Sequence, residues 1–174
     1  MRTFYLFLSC LFLLTACAST GKNTTTTTKT TTSGSSGAAG SRPILTTSVA
    51  PAIEKEILRL VNQHRRSKGL NALADLAPMS VEARKHSANM ASGKVQFGHF
   101  GFDTRRDVVL SQYPKMTAFA ENVAYGSESA EEVVKGWLKS PGHKKNIEGN
   151  FTLSGIGVAR NSKNQLYFTQ LFAK

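Results

Sequence analysis

A change of composition near residue 51 decides how much of this chain can fold. Residues 18 to 50 carry Thr24 to Thr28, Thr30 to Thr32 and then Ser33-Gly34-Ser35-Ser36-Gly37. Such a stretch has almost no apolar surface to bury and cannot offset its ordering entropy. It reads as a tether whose coil dimension is about 30 Å. The folding part is then residues 52–174, a size that suits one compact domain. Both cysteines of the chain, Cys10 and Cys17, precede it. The domain therefore has no disulfide, no thiolate nucleophile and no thiolate metal ligand, and its core alone must hold it together.

The N-terminus reads as an export signal. Arg2 precedes an apolar run from Phe4 to Leu14, and small residues follow. The run is too short for a bilayer span, which needs about 20 residues. Leu14-Thr15-Ala16-Cys17 resembles the lipobox of bacterial lipoproteins. That resemblance implies a signal peptide over residues 1–16, cleavage before Cys17, and lipidation of the Cys17 thiol and amino group with diacylglycerol and fatty acyl chains such as palmitate. Residues 17–51 are then the lipidated cysteine and its tether, and the mature protein is exported and anchored to a bacterial membrane. Ala18 and Ser19 carry no acidic group, which in a cell with two membranes points to the outer one. The alternative is a plain signal peptide with a chance cysteine.

A formal net charge of +11 limits the partners. The basic residues are dispersed as Arg65-Arg66, Arg84-Lys85, Arg105-Arg106 and Lys144-Lys145, and they read as surface charge. They favour solubility and attraction to an anionic membrane or envelope polymer. No aromatic stacking platform accompanies them, which argues against nucleic acid.

Periodicity supplies the elements. Ile53, Ile57, Leu60 and Val61 recur at helical spacing, and Gly69 stops that helix. A second helix follows Pro78, with Ala83, Ser87, Met90 and Ala91 on one side and Gly93 after it. A third starts at Ser129, where Ser129 and Glu132 form a capping box and Ala130, Val133, Val134, Trp137 and Leu138 form the apolar stripe. Phe119 to Tyr125, Ser154 to Ala159 and Gln165 to Phe172 read as strands, the last two joined as a hairpin through Asn161 to Asn164. The expected class is α+β, with helices flanking a small, mostly antiparallel sheet.

Four segments remain: Gly98-His99-Phe100, Ala120-Glu121-Asn122-Val123, Trp137 to Ile147 with Ser140-Pro-Gly-His143 inside it, and Ser154-Gly-Ile-Gly-Val158. As a set they resemble the bacterial CAP family (cysteine-rich secretory protein, antigen 5, pathogenesis-related 1), also called the SCP domain. Leu60-Val-Asn62, Gly69-Leu70, His86 and Met90 match its first helices, and Tyr167 to Phe172 match its last strand. The resemblance implies an α-β-α sandwich with a surface cleft. In that cleft fall His99, Glu121 with its neighbour Asn122, and His143. Ser140 stands where the family's second glutamate would be.

Two imidazoles and a carboxylate form a set that can take zinc with an open position, so the resemblance implies His99, Glu121 and His143 as candidate metal ligands, with no cofactor required. The same groups can equally form a hydrogen-bonded polar cluster that fixes the loops. His86, on an inward helix face, reads as a core histidine, and His64 as a helix-end residue favoured by the dipole. Ser140 lacks the acid-oriented base and elbow of a serine nucleophile. The leading expectation is a binding module whose cleft holds a small lipid or another apolar or envelope ligand, including glycan. The alternatives are a metal-assisted hydrolase and an envelope structural protein that binds anionic polymer. Oligomeric state is not legible in the sequence.

Overall fold

The structure, a computed structural model, describes residues 46–174. The signal segment, Cys17 and the tether up to residue 45 lie outside them. Helix α1 (Thr46–Ser67) starts inside the stretch read as tether. It runs through Pro51, which costs it one backbone hydrogen bond. Ala50 already packs on the core, so the helix is held ahead of the proline.

The remaining elements are β1 (Ala74–Asp75), α2 (Ala77–Ala91), α3 (Phe102–Gln112), β2 (Phe119–Tyr125), α4 (Ala130–Lys139), α5 (Pro141–Ile147), β3 (Leu153–Arg160) and β4 (Leu166–Ala173). The sheet order is β1-β3-β4-β2. The hairpin β3–β4 and the pair β2–β4 are antiparallel, and the two-residue β1 runs parallel to β3. The hairpin turn is built by Asn161, whose Oδ1 accepts from the N–H groups of Lys163 at 3.0 Å and Gln165 at 2.9 Å.

Strand alternation divides the core into two layers. On one face Ile156, Val158, Leu166, Phe168 and Phe172 pack with Ile57 and Val61 of α1, Val133, Val134 and Trp137 of α4, and Ile147 of α5. On the other face Leu171 and Ala173 pack with Met79 and Ala83 of α2 and Val109 of α3. Helices therefore cover both faces, as the sequence resemblance implies. The stripe of α4 is inward as expected, and Ser129 caps it by accepting from the Glu132 N–H at 3.2 Å. Helix α3 is absent from the sequence reading, because Arg105 and Val109 are its only buried residues and they make no apolar stripe.

The Gly-Ile-Gly-Val run is explained by the approach of α2. A β-carbon at Gly155 would fall inside the backbone at Met79–Ser80, and one at Gly157 inside the backbone at Ala83–Arg84. Glycine at both positions lets the helix lie directly on β3. Because β1 is only two residues long, most of the outer edge of β3 lacks a strand partner. Ser80 Oγ accepts from the Ile156 N–H at 3.1 Å, and Glu54 from the Val158 N–H at 3.0 Å. Glu54 also holds Arg84 by a charged hydrogen bond of 2.6 Å. Side chains of α1 and α2 thus protect an exposed edge, a recurrent need of open sheets.

Two arginines read as surface charge are structural. Arg65 is 2% exposed. Its guanidinium donates to the carbonyls of Asn71 (2.8 Å), Ile147 (2.7 Å), Gly149 (2.9 Å) and Phe151 (3.1 Å). It ties the end of α1 to the segment after α5. Arg105 is likewise buried.

Candidate functional site

The site straddles the free edge of β2. Alternation places Glu121 on the face covered by α2 and α3, and Asn122 on the face covered by α1, α4 and α5. Trp137 Nε1 and Asn146 Nδ2 cover the outer edge, donating to the carbonyls of Val123 at 3.4 Å and Glu121 at 3.1 Å. Asn146 also donates to Asn122 Oδ1 at 2.9 Å, and Asn122 Nδ2 donates to the His143 carbonyl at 3.1 Å. This pair of asparagines fastens α5, and with it His143, to the strand.

His99 arrives from the opposite layer, on the loop between α2 and α3. The loop is pinned from below by His86, which is 2% exposed and whose Nε2–H donates to the Gly98 carbonyl at 2.8 Å. Gly98 has φ +138°, a conformation that side-chain-bearing residues rarely adopt. Phe97 packs edge-on against Tyr125 at 4.7 Å between ring centres, and Tyr125 stacks on Tyr167 at 5.6 Å. His86 is thus a buried histidine, as read from sequence, and also the strut beneath the His99 loop.

The centre of the site is the Glu121 carboxylate, whose side chain is 1% exposed. His99 Nδ1 lies 2.8 Å from its Oε1. A carboxylate can only accept, so Nδ1 carries the proton; in the neutral ring this leaves the lone pair on Nε2. Arg105 donates from Nε to Oε2 and from Nη2 to Oε1, both at 2.8 Å, and from Nη1 to the Phe100 carbonyl at 2.8 Å. Sequence reading missed Arg105, since beside Arg106 it looks like ordinary surface charge.

His143 lies within electrostatic reach of His99. Burial pushes its imidazole below the ordinary histidine value, and the nearby His99 adds to this. His86 is also lowered, mainly by burial, against the raising effect of its bond to Gly98. Ser140 ends α4 and begins α5. Its carbonyl accepts from the Lys144 N–H at 2.9 Å, and its role in this geometry is to turn the chain. His64, read from sequence as a dipole-favoured helix-end residue, pairs with Glu148 at 2.8 Å.

His99 and Glu121 are therefore bonded, His143 stands near them, and Asn122 supports from the far face. Among the described residues no three His, Cys, Asp or Glu side chains gather closely enough to hold an ion. The Glu121 carboxylate is moreover already engaged: both of its oxygens accept from the Arg105 fork, and one from His99 as well. The groups bonded at Glu121 are polar, while Phe97, Phe100 and Tyr125 are exposed beside them. An apolar-floored concavity lies elsewhere, between α1 and α4. It has a volume of about 510 Å³ and is floored by Leu60, Val134 and Leu138, with His64, Lys135 and Lys139 on its rim.

The family model for the cysteine-rich secretory protein (CAP) family matches residues 58–172. This chain belongs to the CAP family. An uncharacterised Bacillus subtilis protein, YkwD, is 34% identical over 128 residues, covering 67% of this chain and 48% of that protein. The chain thus spans about half the length of that relative. Among solved structures, an extracellular SCP-domain protein from Bacillus anthracis superposes with a TM-score of 0.62 at 27% identity, covering 72% of this chain and 41% of that one. An outer surface protein from Borrelia burgdorferi gives 0.60 at 23% identity, covering 69% and 90%. The second likeness speaks to the fold alone. The CAP domain here has the layered α+β architecture of these structures.

Proposed function

We propose that this chain is an exported CAP-domain binding module, anchored by lipid at Cys17, that takes a single-chain amphiphile with an anionic head, such as a fatty acid, in the groove between α1 and α4. The observation that carries this reading is the make-up of the groove. Leu60, Val134 and Leu138 form an apolar floor, and Lys135, Lys139, His64 and Glu131 stand at the rim. A volume of about 510 Å³ falls within the usual range for small-molecule sites. The apolar floor suits the chain of such a ligand, and Lys135 and Lys139, two cations against the one carboxylate of Glu131, suit its head. Export is supported by the signal-like N-terminus and by likeness to a protein described as extracellular.

Displacement of a fluorescent fatty acid from the mature chain tests the reading. Leu138→Glu puts a carboxylate in the floor at a half-buried position and should weaken binding at least tenfold, while the fold stays intact by circular dichroism. Binding equal to wild type in Leu138→Glu would remove the groove from the account. Cys17→Ser tests the anchor: the protein should leave the membrane fraction or keep its signal. Wild-type fractionation and migration would end the lipoprotein reading.

A second reading, a hydrolase, draws on one observation. Glu121 fixes the tautomer of His99 so that Nε2 could act as a base, which is the arrangement of a carboxylate-oriented histidine. Turnover abolished by Glu121→Gln and by His99→Ala would favour it over the binding module.

A further inference from the structure

We propose that Arg105 is the built-in cation of the histidine cleft: it supplies to Glu121 the positive charge that a divalent metal would otherwise supply, and thereby makes the cleft a metal-free site. An ionised carboxylate offers about four acceptor positions. Three of the available bonds are spoken for, two by the Arg105 fork and one by His99. A guanidinium stays charged at any pH a cell meets, so the pair carries no net charge toward an arriving ion. That ion would instead meet a fixed cation behind a neutral surface.

Expelling the arginine is costly by geometry. Its side chain is 8% exposed and that of Glu121 is 1% exposed. Its remaining nitrogen, Nη1, is bonded to the Phe100 carbonyl, so moving the guanidinium also unties the loop that carries His99. Helix α3 is held on the domain through Val109, which keeps Arg105 rooted next to the strand. What the cleft retains for a metal is the Nε2 of His99 and the ring of His143, two imidazoles without a carboxylate. Such a pair binds a divalent ion far less tightly than a set to which a free carboxylate is added.

The test is calorimetric titration of zinc, at one neutral pH, into the mature chain and three variants. Wild type and His143→Ala should show no micromolar, one-to-one binding. Arg105→Met frees Glu121, so it should gain zinc affinity of at least tenfold, and zinc should raise its melting temperature. Arg105→Met combined with Glu121→Gln should lose that gain. Wild-type binding at micromolar zinc that disappears in His143→Ala would overturn the proposal, as would a folded Arg105→Met that gains nothing. If Arg105→Met folds only when zinc is present, the rescue itself supports the proposal. If it folds in neither condition, the wild-type and His143→Ala titrations decide. Fatty-acid binding in the α1–α4 groove is independent of all four titrations.

Discussion

At the scale of single residues, the chemistry of this CAP domain is set by buried cations that look superficial in the sequence. Arg65 and Arg105 each sit beside a second arginine, and adjacency to Arg66 and Arg106 makes the pairs read as solvated charge. Their partners are far away in the chain: Ile147, Gly149 and Phe151 for Arg65, Glu121 for Arg105. No local pattern marks a guanidinium whose acceptors lie more than ten residues off. The histidine and glutamate positions were legible, because a family resemblance fixes them residue by residue, but their wiring was not. Arg65→Met keeps the stem and takes the guanidinium's bonds from four carbonyls, of which Gly149 keeps the Phe151 N–H. It should cost on the order of 3–5 kcal/mol in denaturant melts, since bonds to charged groups are worth about 1.5–3 kcal/mol each and do not add fully. A loss under about 0.5 kcal/mol, the range of neutral surface changes, would mean that the carbonyls find other partners. His86 supplies a pH dependence. Its folded value lies below the unfolded one, which is about 6.5, so the unfolded chain binds the proton more readily. Its contribution to stability is present above about 6.5 and is lost as pH falls through the lower folded value. His86→Gln should flatten the fall of stability with acid from about pH 6.5 downward. A slope equal to wild type would show that other groups, His143 among them, set it.

At the scale of elements, what the sequence could show depended on whether an element buries a stripe. Helices α1, α2 and α4 do, and so do the three long strands; each was readable from apolar spacing and capping or turn chemistry. Helix α3 buries one arginine and one valine, and β1 has two residues with no buried side chain. Neither leaves a periodic signal. Helix α5 spans only Pro141–Ile147 and was visible only as a motif. The glycines of β3 were visible as a motif too, but their cause is the backbone of α2 pressed against them. Gly157→Ala should therefore destabilise the domain by about 1–3 kcal/mol or more through overpacking, although alanine ordinarily suits a strand better than glycine does. An unchanged or raised melting temperature would mean that α2 can withdraw at no cost. Trp137 is 1% exposed and both fills the α4 layer and covers the Val123 carbonyl. Trp137→Ala should cost about 3–5 kcal/mol, as denaturant midpoints will report.

At the scale of the molecule, a domain with no cysteine after Cys17 is held by two apolar layers and by side chains that finish the sheet. Both outer edges are completed this way: β3 by Ser80 and Glu54, β2 by Asn146 and Trp137. The second of these edges also carries the histidine cleft, since His99 and His143 come to it from opposite layers. The two layers meet at this edge: the His99–Glu121–Arg105 bonds lie on the α2–α3 side, and Asn146, with its bonds to Asn122 and to the Glu121 carbonyl, ties in the α4–α5 side. Within that edge Arg105 balances the Glu121 carboxylate. The most direct measurement is a crystal structure of the protein soaked in zinc. The account predicts that Arg105 still holds both Glu121 oxygens and that no zinc touches that carboxylate. Zinc bonded to Glu121, His99 and His143 together, with the Arg105 guanidinium displaced, would contradict it.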